Sequence, residues 1–469
     1  MHISSLFGEF SIGSFGKNAK EFVDFLSDCG FSLWQVLPFG VLDNFNSPYQ
    51  SYSSFAGNPY FVDLEQLKNK GLMTETELFS QRQHQPYHAE YERLKEERIS
   101  FLRKISGRVT YQEKIEKFIN ENPHIEKFCR FMAMKEANRG KAWRDWDEKK
   151  LCQETFFMWK FIQYEFFAQW KRIKDYANSK GIKIIGDIPI YVSLESSDVW
   201  GNRELFMLDR DNLPTFVSGV PPDYFSVEGQ LWGNPLYDWE KMKETDFLWW
   251  MDRLSHSFEL FDGVRIDHFR GLESFWAVPY GEKTAKNGKW LKGPGMELIK
   301  RINDVWGDRL IIAEDLGEIT PDAEKLAEES GFLRTRVLQF GFLDNSDNLH
   351  MPHNYEANCV AYSGTHDNDT LSGYLKNLDY DSKKRFSDYC DVASDNFEGN
   401  IDSAIRALFA SHADIVILPI QDILCLDSAW RMNIPGEKSG NWQMRITKEQ
   451  LEGIDKNKFR CYNKIYKRK

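Results

Sequence analysis

Short, β-rich apolar runs recur along this chain, and each of them ends in polar residues, glycine or proline. Eight runs fit this description: residues 3–6, 31–37, 182–188, 263–266, 310–313, 337–340, 359–362 and 415–420. Several of them are continuously apolar, which is typical of parallel strands that are buried on both faces of a sheet. Because helix-period segments lie between many of the runs, the pattern predicts an α/β fold.

Two of the intervening helices carry clear boundary signals. The helix predicted at residues 19–29 has Gly30 as its stop signal, and the one predicted at 321–329 follows Thr320, which can cap it. Eight strands separated by helices predict a single (β/α)8 TIM barrel over residues 1–469. In such a barrel the active site is built at the C-terminal ends of the strands.

The predicted strands are unevenly spaced. About 145 residues separate strands 2 and 3, and about 75 separate strands 3 and 4, far more than ordinary connections need. We therefore expect two subdomain insertions: a mainly helical one at residues 55–175, after strand 2, and a loop-rich one at residues 191–250, after strand 3. The dense aromatic residues of segment 156–170 are expected to form a packing face.

Composition excludes several functions. A net charge of −11 works against nucleic-acid binding. Since neither a transmembrane stretch nor a signal peptide is visible, we expect a cytoplasmic protein without membrane partners. The cysteines have no CxxC spacing, the histidines form no HExxH motif, and no nucleotide-binding motif occurs. We therefore expect no metal and no cofactor, and the sequence gives no signal of oligomeric state.

The first motif that could carry chemistry is GVRIDHFRG, at residues 263–271. Because side chains alternate along a strand, Arg265 and Asp267 should project to the same face at its C-terminal end. A guanidinium favours the ionised form of a neighbouring carboxyl group, and a glycosidic nucleophile must be an ionised, positioned carboxylate. Taken alone, the motif is equally well interpreted as an internal salt bridge.

The second motif is IIAEDLG, at residues 311–317, where an apolar strand runs directly into two carboxylates. Partial desolvation at a strand end raises the pKa of a carboxyl group, which suits a general acid. Alternation turns only one of the two inward, and we choose Glu314, leaving Asp315 as a helix cap or as a support for Glu314. The alternative is that both residues cap the following helix.

The third motif is GTHDNDT, at residues 364–370, in which Asp367 follows His366. An Asx-rich turn is the structural alternative. A barrel could bring Asp267, Glu314 and Asp367 around one pocket. Two carboxyl groups about 5 Å apart support a retaining double displacement, and a third can hydrogen-bond sugar hydroxyls.

Long stretches beyond these motifs identify a resemblance. With the three carboxylate motifs, the chain resembles 4-α-glucanotransferases of the amylomaltase (disproportionating enzyme) family, within the α-amylase clan. The matching stretches are residues 4–6, 12–16, 47–51, 55–59, 186–190, 219–225, 229–235, 352–355, 431–433, 435–436 and 440–442.

The resemblance implies roles for individual residues. Asp267 would be the nucleophile, Glu314 the acid/base and Asp367 the transition-state stabiliser. A set of substrate-binding residues is implied as well: Asp187, Arg265 and His366 at the donor subsite, Tyr49, Tyr52 and Trp232 along the glucan groove, and the loop 279–294 over the acceptor side.

The implied function is a 4-α-glucanotransferase that moves segments of α-1,4-glucans and malto-oligosaccharides to a 4-hydroxyl group by a retaining mechanism. An α-glucan hydrolase would use the same catalytic set, so the residues alone do not decide between water and sugar as acceptor. A non-catalytic glycan-binding barrel is the third alternative, and it predicts that one of the three carboxylates is missing.

Overall fold

Two β-sheets organise the chain. The computed structural model describes residues 1–147, 149–222, 226–317, 319–342, 347–391, 397–437 and 439–468, so part of the stretch 219–225 lies outside the described residues. Within them, seven strands form one parallel sheet that nearly closes into a barrel. The (β/α)8 prediction is therefore confirmed as an architecture.

The strands of the barrel sheet follow one another around it in chain order. They are β1 (Leu33–Gln35), β2 (Lys183–Ile188), β5 (Gly263–Ile266), β8 (Leu310–Ala313), β9 (Leu333–Val337), β10 (Cys359–Tyr362) and β11 (Ile415–Ile417). Their register aligns the strand ends: Asp187 pairs with Arg265, and Arg265 pairs with Ile312. Residues that follow these strands consequently meet at one rim of the barrel.

A second, antiparallel sheet has the strand order β4-β3-β6-β7. Its strands come from the connections around β5, two before it and two after it: β3 (Phe216–Val220), β4 (Gln230–Pro235), β6 (Ser274–Pro279) and β7 (Lys289–Lys292).

Helices fill the remaining connections. The described α-helices are α1 (Lys17–Cys29), α2 (Leu64–Asn69), α3 (Glu75–Ser80), α4 (Tyr91–Arg93), α5 (Ile99–Ser106), α6 (Gln112–Glu121), α7 (Pro123–Ala137), α8 (Gln153–Ser179), α9 (Ser197–Trp200), α10 (Trp239–Glu244), α11 (Leu248–Leu260), α12 (Met296–Trp306), α13 (Pro321–Ser330), α14 (Leu338–Gly341), α15 (Leu371–Asn377), α16 (Tyr380–Cys390), α17 (Phe397–Ala410), α18 (Ile420–Ile423), α19 (Lys448–Glu452) and α20 (Lys456–Ile465). None of the helices in the described ranges is long and apolar enough to cross a membrane.

Shorter helical turns lie at Ile3–Ser5, Pro59–Phe61, Trp143–Asp145, Arg203–Leu205, Phe269–Leu272, Pro352–Asn354 and Ser428–Trp430, and a π-helical segment joins α4 to α5 at Leu94–Arg98.

The predicted helix signals are confirmed. Helix α1 ends at Gly30, whose φ of 77° is left-handed and suits glycine. Helix α13 begins after Thr320, whose hydroxyl accepts a hydrogen bond from the Ala323 amide. The aromatic residues of α8 pack rather than bind, because Phe161, Phe166 and Trp170 are fully buried.

Two predicted strands are wrong. Residues 3–6 form a short helical turn (Ile3–Ser5), because the carbonyls of Ser4 and Ser5 accept hydrogen bonds from loop amides rather than from a strand. The strand predicted at 337–340 lies earlier, as β9, and Leu338–Gly341 is a helical turn. The long connections consequently follow the first and second observed strands.

The sheet has two edges, β1 and β11, and the seam between them is closed by residues that are remote in sequence. A cavity of about 130 Å³ lies there, lined by residues of both strands. The two ends of the chain also meet: the Ile446 amide donates to the Ser5 carbonyl at 3.1 Å. The fully buried Arg445 donates to the carbonyls of Leu6 at 3.2 Å and Phe10 at 2.8 Å.

Candidate active site

Arg265 joins two carboxylates at the ends of β2 and β5. Its Nη1 donates to both oxygens of Asp187, at 2.8 and 2.7 Å, and lies 3.0 Å from Asp267 Oδ1. The Asp187 side chain is only 1% exposed, whereas that of Asp267 is 26% exposed. The ion pair between Arg265 and Asp267 is therefore present, and Asp267 is the carboxylate that solvent or a substrate can reach, whereas Asp187 is buried behind Arg265.

The pKa of the Asp187 carboxyl group is raised overall, as the sum of two opposing effects. Burial raises the pKa of its carboxyl group, and Arg265 acts in the opposite direction. The Asp267 amide donates to the Ile188 carbonyl at 3.0 Å, which extends the pairing of β5 with β2 by one residue. Asp267 is thus fixed by the sheet through its backbone and by Arg265 through its side chain.

Glu314 follows β8 directly. Burial raises its pKa well above the usual range, the neighbouring Asp267 adds to this effect, and Arg265 opposes it. Its Oε2 accepts a hydrogen bond of 2.6 Å from the backbone amide of His268. The backbone of His268 is left-handed, with a φ of 46°, which is rare for a residue other than glycine. Glu314 can therefore hold a proton beside Asp267, as a general acid must.

Asp315 points away from this pair. It is buried, and its Oδ2 accepts a hydrogen bond from Arg334 Nε at 2.7 Å, while its Oδ1 accepts one from the Thr335 amide at 2.7 Å. The expectation that Asp315 caps the following helix is wrong, because Thr320 caps α13. Asp315 instead anchors β9 to the end of β8.

Replacing Asp315 by Ala should lower the free energy of unfolding by about 1–3 kcal/mol, because the buried Thr335 amide loses its acceptor, while Arg334 keeps only its longer ion pairs with Glu324 at 3.5 Å and Glu328 at 3.8 Å. Chemical denaturation followed by circular dichroism measures the change. Asp322→Ala is the matched control: that acid is 74% exposed, and its loss should cost less than about 0.5 kcal/mol. Equal unfolding free energies in the two variants would contradict the anchoring role of Asp315.

The loop after β10 carries His366 and Asp367. The His366 Nε2 lies 3.4 Å from Asp367 Oδ2, and Asn433 Nδ2 donates to Asp367 Oδ1 at 2.6 Å. Desolvation favours neutral forms of both groups, but their mutual attraction prevails: the pKa of His366 is raised and that of Asp367 is lowered. The loop is also held by its own side chains: Asn368 Oδ1 accepts from the Thr365 amide at 2.9 Å, and Thr365 Oγ1 accepts from the Asp367 amide at 3.3 Å.

Tyr49 connects this loop to the first pair of carboxylates. Its hydroxyl donates to Asp187 Oδ2 at 2.7 Å and lies 3.4 Å from His366 Nδ1. The rings of Tyr49 and His366 stack, with centroids 4.9 Å apart. A continuous series of polar contacts therefore runs from Asp367 through His366, Tyr49, Asp187 and Arg265 to Asp267.

The two remaining predicted residues lie in different places. Trp232, on β4, packs edge-to-face against His268 with ring centroids 4.8 Å apart, which brings the antiparallel sheet to the site. Tyr52 is not among the residues that contact the carboxylates. It lines a separate cavity of about 540 Å³ together with Lys135 and Glu195.

Three contributors received no role from the sequence. Asn433 and Arg431 hold Asp367, the second through a 2.5 Å bond from Nη2 to the Asp367 carbonyl. Trp442 packs against the rings of Tyr49 and His366. In the sequence, these three residues are marked only by lying in the stretches 431–433 and 440–442 that carry the family resemblance. That position indicates that they matter but not what they do.

The fold and the site define a class of protein: barrel enzymes that act on glycosidic bonds with paired carboxyl groups. A family model described as 4-alpha-glucanotransferase matches residues 1–451. With these observations together, the chain belongs to the 4-alpha-glucanotransferase family.

Individual relatives agree over the full length. A 4-alpha-glucanotransferase from Clostridium butyricum is 43% identical, covering 100% of each chain. One from Aquifex aeolicus is 41% identical, covering 96% of this chain and 95% of that protein. The solved structure of an amylomaltase from Streptococcus agalactiae in complex with acarbose has a TM-score of 0.96 at 37% identity, covering 100% of this chain and 98% of the other.

Proposed function

We propose that this protein is a retaining 4-α-glucanotransferase that transfers segments of α-1,4-glucans to the 4-hydroxyl group of glucose or of another glucan. The observation that carries the proposal is the pair at the barrel rim. Asp267 is ion-paired and accessible, while burial holds the pKa of the neighbouring Glu314 above its usual range. Membership of the family over residues 1–451 supports transfer over hydrolysis.

In the first half-reaction, Asp267 attacks C1 of the donor sugar as the bond between C1 and the glycosidic oxygen breaks. The Glu314 carboxyl group gives its proton to that oxygen, so the leaving glucan departs with a neutral 4-hydroxyl group. The products are a covalent β-glucosyl ester on Asp267 and an ionised Glu314. Arg265 loses one of its two carboxylate partners at this point and keeps the other, Asp187.

In the second half-reaction, the 4-hydroxyl group of an acceptor glucan attacks C1 from the side that the leaving group vacated. Glu314, now ionised, takes the hydroxyl proton, and Asp267 leaves as a carboxylate. Two inversions give net retention of the α configuration. No metal or cofactor takes part in this scheme, because the two carboxyl groups supply the nucleophile and the proton.

The other residues would bind and orient sugars. Asp367 and the positively charged form of His366 would hold hydroxyl groups of the donor sugar, with Asp187 and Arg265 behind them. The aromatic rings would follow the glucan groove: Tyr49 and Trp232 close to the carboxylates, and Tyr52 farther away. In this proposal the helical insertion 55–175 and the loop-rich insertion 191–250 frame the groove. The segment 279–294, which contains strand β7 rather than being loop throughout, covers its acceptor side. The protein acts in the cytoplasm.

Incubation with maltotriose tests the proposal. A transferase should produce glucose together with maltopentaose and longer oligomers, because each transfer lengthens one chain as it shortens another. Chromatography of the products over time separates the alternatives. Shortening alone would identify an α-glucan hydrolase, and binding without any turnover would identify a glycan-binding barrel.

A further inference from the structure

The loop that carries His366 and Asp367, residues 364–370, is clamped at both ends by one side chain that lies outside it. Asp422, on α18 directly after β11, is buried and only 1% exposed. Its Oδ2 accepts a hydrogen bond from Ser363 Oγ at 2.5 Å, immediately before the loop. Its Oδ1 accepts one from the Leu371 amide at 2.7 Å, immediately after the loop. A single carboxylate therefore fixes the entry and the exit of this segment.

Burial makes the ionised form of the Asp422 side chain unfavourable. Burial raises the pKa of Asp422 to about 6, although the bonds from Ser363 and Leu371 act against the shift. The Leu371 amide is the first of helix α15 and has no partner within that helix. An apolar residue at 422 would leave this amide buried and unpaired, so the two hydrogen bonds account for the presence of the charge.

The contacts of the loop depend on its exact placement. The His366 ring must stack on Tyr49 while its Nε2 faces Asp367, and Asp367 must also reach Asn433. Tyr49 and Asn433 lie on elements other than the loop itself. A displacement of about 1 Å in catalytic geometry can cost on the order of 10²-fold in rate.

We propose that Asp422 is a positioning residue for the transfer reaction: its carboxylate holds the two ends of loop 364–370 and thereby sets where His366 and Asp367 meet the donor sugar. The inference rests on the proposed function, since it concerns the rate of that reaction. Asp422 itself does not contact the reacting atoms and acts through the loop.

Three variants separate positioning from general stability. Asp422→Ala removes both bonds and should lower kcat on maltotriose by about 10²-fold per folded molecule, with KM changed by less than about 3-fold. Asp422→Asn can still accept from the Leu371 amide and donate to Ser363, so it should recover to within about 10-fold of the wild type. The matched control is Asp262→Ala, at the opposite end of β5, where Asp262 accepts bonds from the Ile184 amide at 2.8 Å and Asn178 at 2.9 Å. Its kcat per folded molecule should stay within about 2-fold of the wild type.

A double-mutant cycle gives a readout that a merely structural role would not move. If Asp422 acts through the loop, Asp422→Ala should cost less than about 10-fold in a His366→Ala background, because one of the two groups that it positions is already lost and only the placement of Asp367 can still be disturbed. Additive effects, or a wild-type kcat in Asp422→Ala, would overturn the proposal. Absence of maltotriose transfer by the wild type would instead contradict the proposed function, so the two failures are distinguishable.

Discussion

Replacing Asp267 by Asn is expected to lower kcat on maltotriose by on the order of 10⁶-fold, the loss seen when the nucleophile of an enzyme is removed. The amide has almost the same shape as the carboxylate and can still accept from Arg265 Nη1, which lies 3.0 Å from Asp267 Oδ1. It cannot form the covalent ester with C1. Glucan binding should persist, because the ion pair of Arg265 with Asp187 and the contacts of His366 are unaffected.

Kinetics and calorimetry measure the two halves of this prediction. The dissociation constant of maltoheptaose for Asp267→Asn should stay within about 10-fold of the value for the catalytically slow Glu314→Gln variant. An α-glucosyl fluoride donor with added azide provides the stereochemical control. Asp267→Gly should yield the β-azide, because azide enters the space of the lost nucleophile. An Asp267→Asn enzyme with wild-type turnover would eliminate Asp267 as the nucleophile.

Replacing Glu314 by Gln is expected to lower kcat on maltotriose by about 10²–10⁴-fold, the usual contribution of a general acid and base. The fluoride donor should behave differently, since fluoride leaves without a proton. With it, the first half-reaction should remain fast, and the covalent intermediate on Asp267 should accumulate, to be seen as a mass increase of the intact protein. Azide should then give the α-azide, the opposite anomer from that of Asp267→Gly.

The raised pKa of Glu314 also predicts how kcat/KM changes with pH. Since burial raises the pKa of Glu314, the protonated form that the first half-reaction needs persists to higher pH than for an ordinary glutamate. The wild-type kcat/KM should therefore fall as the pH rises through that pKa. A glutamine side chain does not titrate, so this alkaline decline should vanish in Glu314→Gln. A decline of unchanged position in the variant would assign the acid/base role to another group.

Strand periodicity predicts correctly which of these side chains meet at one rim of the barrel. The alternation that placed Arg265 and Asp267 on one face is realised, because both follow the pleat of β5. The choice of Glu314 over Asp315 rests on the same alternation, and Asp315 indeed turns away from Glu314, to Arg334 on β9. The direction of these side chains depends only on the local geometry of one strand, so it can be predicted from the sequence.

The prediction of a strand is wrong where the hydrophobic pattern fits a helix and a strand equally well. A short apolar run such as residues 337–340 fits a buried helical turn as well as a strand. The sequence does not predict strand β9, because Arg334 and Arg336 interrupt its apolar pattern. Both arginines are nevertheless buried, and both are paired with Asp315. A buried arginine hides the apolar pattern of a strand when the carboxylate that pairs with it lies on another strand or helix.

Other parts of the site could not be predicted from local sequence, because they depend on contacts between distant segments. The bond from Asn433 to Asp367 joins residues that are 66 positions apart. The amide of His268 that holds Glu314 is a backbone group and leaves no signature in the amino-acid code. Asp422 is similar, since its two partners lie 59 and 51 positions away.

The contact between the two ends of the chain has a consequence for how the protein folds. Arg445 joins the carbonyls of Leu6 and Phe10, which lie 439 and 435 positions earlier in the chain. Contacts of such sequence separation form slowly, because closing so long a loop costs entropy before the contact rewards it. On the ribosome, this contact cannot form until residue 445 has emerged. A nascent chain that stalls before that point leaves the carbonyls of Leu6 and Phe10 without the Arg445 guanidinium.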